Sequence, residues 1–481
     1  MYGREPDTVR AQGKDGCYKM DRESGKMDTI NREMFADEKS RQIFDYRLQY
    51  YQTGDMECLL DMVVDEYRDF SRRIDNMKQK IYGKLRDFEG NFIIYGAGAH
   101  AGLAMEYLKR KNLDDRFMCY CVSRYDESMG GKAKVISEME ADKNKCMILV
   151  PNGHYAAEMI ENLESMGWDS EHYLLLPYVL IFDYALDDEK DIENILKDRE
   201  NHFIVYGTDW NSILFRSLMR GSNRHFDFSI AELEGKPLED LSYVASMKNL
   251  YVVVFNGLRK KKAIEAGVPE SKIIQLCNID ELQYFDEDVV PEHVKGTREV
   301  FVDGGSLDLC STGQFMRWCN YECDKVIAYE PDKRCVKICE EVLAEMPKLG
   351  NLTELIPKGL WSSETELVFN EVANFGSSSF ITHKGSGKEQ VIPTTSVDIV
   401  LHGEPVTFIK MDIEGAELEA LKGAQNTIRR YHPILAISIY HKPEDIVELP
   451  RYIKSLVPEY KLYLRNYHLD TTETVLYAIP S

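Results

Sequence analysis

Nowhere in the 481 residues is there an apolar run long enough to cross a bilayer, and no apolar leader follows the first methionine. A membrane span, which needs about 20 such residues, and a secretory leader are therefore not expected, and the cytoplasm is the expected location. Positive charge is also short. Lys and Arg number 59 against 81 Asp and Glu, for a formal net charge of -22. The sole basic cluster, Arg259 to Lys262, reads as a solvated helix face, so nothing offers nucleic acid a basic stripe. None of the 11 cysteines forms a CxxC pair, which argues for free thiols and against a structural zinc; no metal is expected. The chain also lacks GxGxxG, the dinucleotide fingerprint. What remains, 44% hydrophobic residues over this length, is ordinary globular protein of about three domains.

The most informative stretch is Glu299 to Asp332, EVFVDGGSLDLCSTGQFMRWCNYECDKVIAYEPD, which reads as strand, glycine turn, helix, strand, acid. The apolar run Val300 to Val302 ends at Asp303-Gly304-Gly305. Glycines without a Cβ let the backbone turn tightly and approach a ligand. Phe315, Met316 and Cys319 have helical spacing, and Val326 to Tyr329 delivers Glu330-Pro331. A carboxylate after the second strand accepts both hydroxyls of a ribose, which suits an adenosine ligand better than a dinucleotide. The alternative is an ordinary buried βαβ unit.

Residues 1 to 88 read as a flexible leader followed by helices. Asp37 or Ser40 caps a helix carrying Ile43, Phe44 and Leu48 and ending at Gly54; a second, with Leu59, Leu60, Met62, Val63 and Tyr67 on its apolar face, continues towards Asp87. Such helices pack on a neighbouring domain or subunit. A diverged internal repeat follows, in units 89–200 and 201–290. Asn91 to Gly96 corresponds to His202 to Gly207, Gly131-Lys132 to Gly235-Lys236, Asn152-Gly153 to Asn256-Gly257, and Gly167 to Gly267. Two Rossmann-like α/β units account for it. The first carries Gly96-Ala-Gly-Ala-His-Ala-Gly102, close to a dinucleotide turn. Its second strand, however, runs into Val122-Ser123-Arg124 without a ribose acid, and the second unit keeps only Gly207 of the turn glycines. A scaffold or recognition role is favoured, with His100 and Asp209 at the turn mouths. Asp280 to Lys295 reads as an acid-rich linker.

In the final domain, 296–481, Leu352 to Ile356 is a third strand, followed by Lys358-Gly359-Leu360-Trp361-Ser362, whose Trp361 suits stacking on adenine. Asn374 to Phe380 is a hydroxyl-rich loop suited to covering a cleft. Thr407 to Met411 is a strand ending in Asp412-Ile413-Glu414-Gly415, with Glu417 next. Ile434 to Ile439 delivers Tyr440-His441-Lys442, and Tyr460 to Tyr467 with Glu473 to Ile479 form an antiparallel hairpin edge. The carboxyl ends of parallel strands open onto one crevice, which brings Asp303, Glu330, Asp412 and Glu414 together.

Through FVDGG, AYEPD, KGLWS, FIKMDIEGAE, ISIYHK and YLRNYH with ETVLYA, in that order, the region from about Arg298 to Ser481 resembles FkbM-type S-adenosylmethionine-dependent methyltransferases. FADEKSRQIFDYRLQYYQTGD is similar to a helical leader that precedes some members. The resemblance implies a class I, seven-stranded methyltransferase domain behind the two α/β units and helices. It also implies S-adenosylmethionine as donor, and O-methylation of a glycan, nucleotide-sugar or secondary metabolite, as in polysaccharide biosynthesis. By matching motifs, Asp303, Gly304, Gly305, Glu330, Pro331, Gly359, Leu360, Trp361 and Asp412 would line the donor. The chain departs from the family at Asp308-Leu309-Cys310, where many members have a further glycine and acid.

Methyl transfer to a hydroxyl needs alignment and one proton acceptor. The candidates for the base are His441, His468, Asp412 and Glu414, with His441 favoured because histidine titrates near neutrality unaided. Lys442 and the Gly376 to Ser379 loop would hold the acceptor. Two other readings stand beside this one: an NAD(P)-dependent sugar-modifying enzyme using the Gly96 turn, and a non-catalytic ligand-binding protein. A homodimer through the helices or tandem units is a further expectation.

Overall fold

The computed structural model describes residues 32–124, 133–139, 143–151, 156–169, 171–181, 192–207, 210–222, 226–229, 240–276, 282–371, 388–468 and 472–481. The helical leader forms as its caps dictate. Helix α1, Glu38–Thr53, starts where the Asp37 carboxylate accepts the Ser40 N–H at 2.8 Å, and ends at Gly54 with φ +70°. Helix α2, Glu57–Asp87, buries Leu59, Leu60, Met62 and Val63. Both are interdomain struts. From α1, Ser40 Oγ accepts the Leu464 N–H at 2.9 Å, while just ahead of it Asp37 pairs with Arg465 at 2.6 Å and Ala36 donates to Leu462 at 2.8 Å. These contacts tie α1 to the last domain.

Strands β1 (Asn91–Tyr95), β2 (Phe117–Val122), β3 (Ala133–Val135), β4 (Cys146–Pro151) and β5 (Tyr173–Leu176) form a parallel sheet in the order β3-β2-β1-β4-β5. Strands β6 (His202–Tyr206), β7 (Phe226–Ser229), β8 (Leu250–Val254) and β9 (Ile273–Gln275) form a second, in the order β7-β6-β8-β9. Four strands of the first sheet, β2-β1-β4-β5, follow the same order as β7-β6-β8-β9 in the second; β3 has no counterpart among the described residues. Asn91 sits beside Cys146 as His202 sits beside Leu250, and Gly96 and Gly207 leave their strands at φ +108° and +142°, which glycine tolerates. The anchors Gly131-Lys132, Asn152-Gly153 and Gly235-Lys236, and Asp209, lie outside the described residues.

The last domain is built on a seven-stranded sheet of β10 (Glu299–Gly304), β11 (Cys323–Tyr329), β12 (Thr353–Ile356), β16 (Phe408–Met411), β17 (Ile434–Ser438), β18 (Lys461–Asn466) and β19 (Thr474–Ile479). Between β12 and β16 the chain makes a small side sheet of β13 (Gly359–Leu360), β14 (Glu366–Glu371) and β15 (Lys388–Thr395). The main order is β12-β11-β10-β16-β17-β19-β18, parallel through β17 and antiparallel for β19 and β18. The strand order reverses at β10, with β11 and β12 laid down on one side of it and β16 and β17 on the other, so the strand ends of β10, β11 and β16 open on one crevice. The final hairpin forms as expected, except that β19 lies inside the sheet and only β18 is at the edge.

The expected linker is not one. Residues 282–290 pack on the last domain: the Phe285 ring lies 5.2 Å from Phe408 and 6.2 Å from Phe301, and Asp286 is fully buried. An acid-rich composition signals solvent exposure only when the acids lack partners. Asp286 has one in Arg73 of α2, at 2.6 Å.

Candidate active site

The pocket at the carboxyl ends of β10, β11 and β16 is lined by Gly305, Leu307, Glu330, Pro331, Asp332, Gly359, Leu360, Asp412, Ile413, Glu414, Tyr440 and Glu473, with Tyr329 and Cys335. Its glycine turn is forced by close packing. A Cβ on Gly305, where φ is +76°, would lie 1.9 Å from the Asp412 carbonyl oxygen. Two leucines continue the left-handed path, Leu307 at φ +50° and Leu309 at φ +64°. Leu309 takes a left-handed conformation that glycine adopts more readily, and its side chain is buried beside Ala328 and Cys339. Such strain is held only where the surroundings over-determine it.

Asp303 does not line the pocket. Fully buried, it accepts from Ser311 and Thr312 hydroxyls at 2.7 Å each and pairs with the Lys410 ammonium at 3.1 Å. Lys410 also donates to the carbonyls of Gly305 at 2.7 Å and Gly304 at 3.2 Å. Burial works against its charge, but Asp303 and then Asp412 outweigh that and hold its pKa above the usual lysine value. The expected donor contact at Asp303 is thus a brace beneath the glycine turn, and Gly304 lies with it. Glu330 does face the pocket. Its two oxygens accept the N–H groups of Asp332 at 2.8 Å and Leu307 at 3.0 Å, which fixes the carboxylate while leaving each oxygen a further lone pair. Burial raises it to about 7, against the lowering effect of those two amides.

Asp412 accepts the Tyr284 hydroxyl at 2.7 Å and the Tyr440 hydroxyl at 3.1 Å. Beside it, His441 Nε2 lies 3.3 Å from Asp412 and 3.6 Å from Glu414, while Nδ1 lies 2.9 Å from the fully buried Glu417. Glu417 reached this position as the first residue of helix Glu417–Lys422, its carboxylate turned back to accept the Ile413 and Gly415 N–H groups at 3.0 and 3.3 Å. Burial disfavours the His441 charge, but Glu417, then Asp412 and Glu414, more than offset it and raise the imidazole to about 10. For Asp412, burial is outweighed by His441 and Lys410, and the carboxyl is held below its usual range. Glu414 goes the other way. Burial lifts it to about 7 although His441 opposes, and its backbone is strained at φ +58°.

The favoured base, His441, thus lies among three carboxylates. They favour its imidazolium form, and two carboxyls on the pocket wall, Glu330 and Glu414, are each raised by burial to about 7. His468 leaves the list of candidates: it is buried away from the pocket, 3.0 Å from Asn211 of the second α/β unit. Lys442 turns its ammonium onto the Gly415 carbonyl rather than into the pocket. Trp361 is half-buried against the core, leaving Leu360 on the pocket wall. The loop at Gly376 to Ser379 lies outside the described residues. Donor atoms of Asp412, Glu417 and His441 lie within 4.8 Å of one another, a grouping able to hold a cation that sequence reading did not expect. The His441 proton supplies positive charge at that place. In the first α/β unit, the position of the missing ribose acid is taken by Ser123, bonded to Tyr95 at 2.9 Å.

Sequence reading missed Tyr284, Glu417 and Glu473. Glu417 was legible as the acid two residues beyond Gly415, but its inward turn was not; Tyr284 lay in the supposed linker.

The strand order and the crevice at the ends of β10, β11 and β16 are those of a doubly wound α/β domain with an antiparallel hairpin added at one side. Residues 311–467, within the carboxyl-terminal domain, match the family described as "Methyltransferase FkbM domain". The residues before Ser311, including the glycine turn and both α/β units, lie outside that match. Similar solved structures include methyltransferase FkbM from Methylobacillus flagellatus KT, at 18% identity over 83% of this chain and 93% of that one, with a TM-score of 0.35. An rRNA methylase from Streptococcus thermophilus is 15% identical over 38% of this chain and 87% of its own, with a TM-score of 0.25. Aeropyrum pernix fibrillarin, in complex with natively bound S-adenosyl-L-methionine, is 12% identical over 40% and 69%, with a TM-score of 0.25. These likenesses are distant, and no curated protein matches the sequence. Among the described residues no helix is long and apolar enough to cross a membrane.

Proposed function

We propose that the pocket binds S-adenosylmethionine and that the protein transfers its methyl group to a hydroxyl of a glycan, nucleotide-sugar or secondary metabolite. The observation that carries this is Glu330, a carboxylate pinned by two backbone amides on the wall of a pocket that also holds the Gly305 turn. The residues fit the donor. Glu330 has lone pairs for ribose hydroxyls, Leu307, Pro331, Leu360 and Ile413 offer apolar surface for a base, and Asp412, Glu414 and Glu473 favour a positively charged ligand. When bound, the donor supplies an electrophilic methyl on a sulfonium. Glu414, poised near 7, accepts the proton of the acceptor hydroxyl. His441 stays protonated and holds Asp412 and Glu417 in place. The tandem units serve as scaffold or acceptor-recognition surface. A cytoplasmic site of action accords with the free thiols among the described cysteines.

The test is incubation with labelled S-adenosylmethionine and pools of glycans, nucleotide-sugars and hydroxylated metabolites. Appearance of S-adenosylhomocysteine together with an O-methylated product supports the reading. Donor binding without transfer to any hydroxyl pool favours the ligand-binding alternative.

A further inference from the structure

We propose that the strap 282–290, which follows the second α/β unit, backs the donor pocket from behind its wall, with Tyr284 as the positioning residue for Asp412 and Arg73 of α2 as the clamp of the strap. The inference rests on the reading of the pocket as a donor site. Three independent observations meet at Tyr284. Its backbone is at φ +69°, where a bulky aromatic is a genuine outlier, and such outliers cluster at functional sites. Leu307, Glu414 and Glu473, all on the pocket wall, share this property. Its phenol is buried and donates to Asp412 at 2.7 Å, with Ser438 Oγ at 3.3 Å and the Gln283 amide donating to it at 3.0 Å. The ring also lies 5.2 Å from the Lys410 ammonium that braces the glycine turn.

The strap is held at its other end by a chain of buried polar contacts. Arg73 donates to Asp286 at 2.6 Å, and the other Asp286 oxygen accepts the Tyr467 hydroxyl at 2.7 Å. Tyr467 lies 2.7 Å from the Tyr477 hydroxyl, which in turn accepts the Tyr284 N–H at 3.0 Å. Phe285 wedges between these ends into the aromatic cluster of Phe301, Phe315 and Phe408. The helical leader therefore reaches the pocket by way of Arg73, Asp286 and Tyr284. Burial and the Asp412 charge both keep the phenol protonated, so it acts as a donor that fixes which oxygen of Asp412 faces the pocket.

The Asp412 carboxylate acts on charge, and the test reads charge. S-adenosylmethionine is a cation and S-adenosylhomocysteine is its neutral counterpart, so the ratio of their affinities reports the orientation of the pocket carboxylates, while the adenosine contacts are common to both. Titration calorimetry on the full chain with both ligands is expected to show that Tyr284→Phe, which keeps the ring, lowers the preference for the cation by about 5-fold and leaves the affinity for the neutral ligand within 2-fold. Hydrogen exchange on Arg73→Gln should show the amides of residues 284–290 exchanging at least 10-fold faster, with those of β1 unchanged. An unaltered affinity ratio in Tyr284→Phe overturns the proposal, as does an equal loss for both ligands, which would mean loosened structure only. If the wild type binds neither ligand, the donor-site reading itself fails and this inference falls with it.

Discussion

At pH 8, Glu414→Gln is expected to make the protein more stable while removing its methyl transfer. Burial lifts the Glu414 carboxyl from about 4.5 to about 7, so the folded protein holds that proton more tightly than the unfolded chain does. As pH rises from about 4.5, the unfolded chain ionises first and stability falls, levelling off once pH passes about 7. The full shift corresponds to about 3 kcal/mol. Because 34% of the side chain is exposed, solvent screening reduces this to about 1–2 kcal/mol. Glutamine keeps the shape and removes the charge. Glu330 and Asp445, which burial also raises to about 7, are present in both proteins and cancel. Urea unfolding at pH 4 and pH 8 should show near equality at the lower pH and a gain of about 1–2 kcal/mol for Glu414→Gln at the higher. A variant less stable than wild type at pH 8, or a gap of equal size at both, would refute the assignment of Glu414 as the buried group poised to take a proton.

Gly305→Ala places a Cβ 1.9 Å from a backbone oxygen at positive φ, and should lower stability by about 2 kcal/mol or more and abolish donor binding, as read by thermal unfolding with and without S-adenosylhomocysteine. His441→Ala leaves Asp412, Glu414 and Glu417 without their shared counter-charge, and should cost about 3 kcal/mol at pH 7. Its imidazole is raised in the folded state, so that contribution is whole below about 6.5 and fades through about 10; the gap to wild type should close over the same span in unfolding measurements. Dialysis against a chelator should leave methyl transfer unchanged, since the His441 proton supplies the cation at Asp412 and Glu417; loss restored by a divalent ion would reassign that cluster as a metal site.

The parts of the site legible in advance were those that local rules determine. A glycine pair at a strand end, an acid after the next strand and the order of the motifs located Gly305, Glu330, Asp412 and Glu414, because parallel strands present their carboxyl ends together. Side-chain direction and charge balance were not legible. Asp303 reads as a donor contact from its motif, whereas Lys410, adjacent across the sheet, pairs with it. His441 reads as a base from its place after β17, whereas the Gly415 turn sets the buried Glu417 carboxylate 2.9 Å from its Nδ1. Tyr284 sat in a stretch with neither helical nor strand period, and only tertiary packing sets it against Asp412.

The most direct test of the central claim is calorimetric titration of the full chain with S-adenosylmethionine, with Glu330→Ala as its control. The account predicts saturable one-site binding by wild type, weakened in Glu330→Ala by about 10- to 100-fold through loss of charge-assisted hydrogen bonds worth about 1.5–3 kcal/mol. It further predicts that wild-type affinity strengthens as pH rises through about 7, the value to which burial raises Glu330. Absence of binding at millimolar ligand, or equal affinity in wild type and Glu330→Ala, would contradict it.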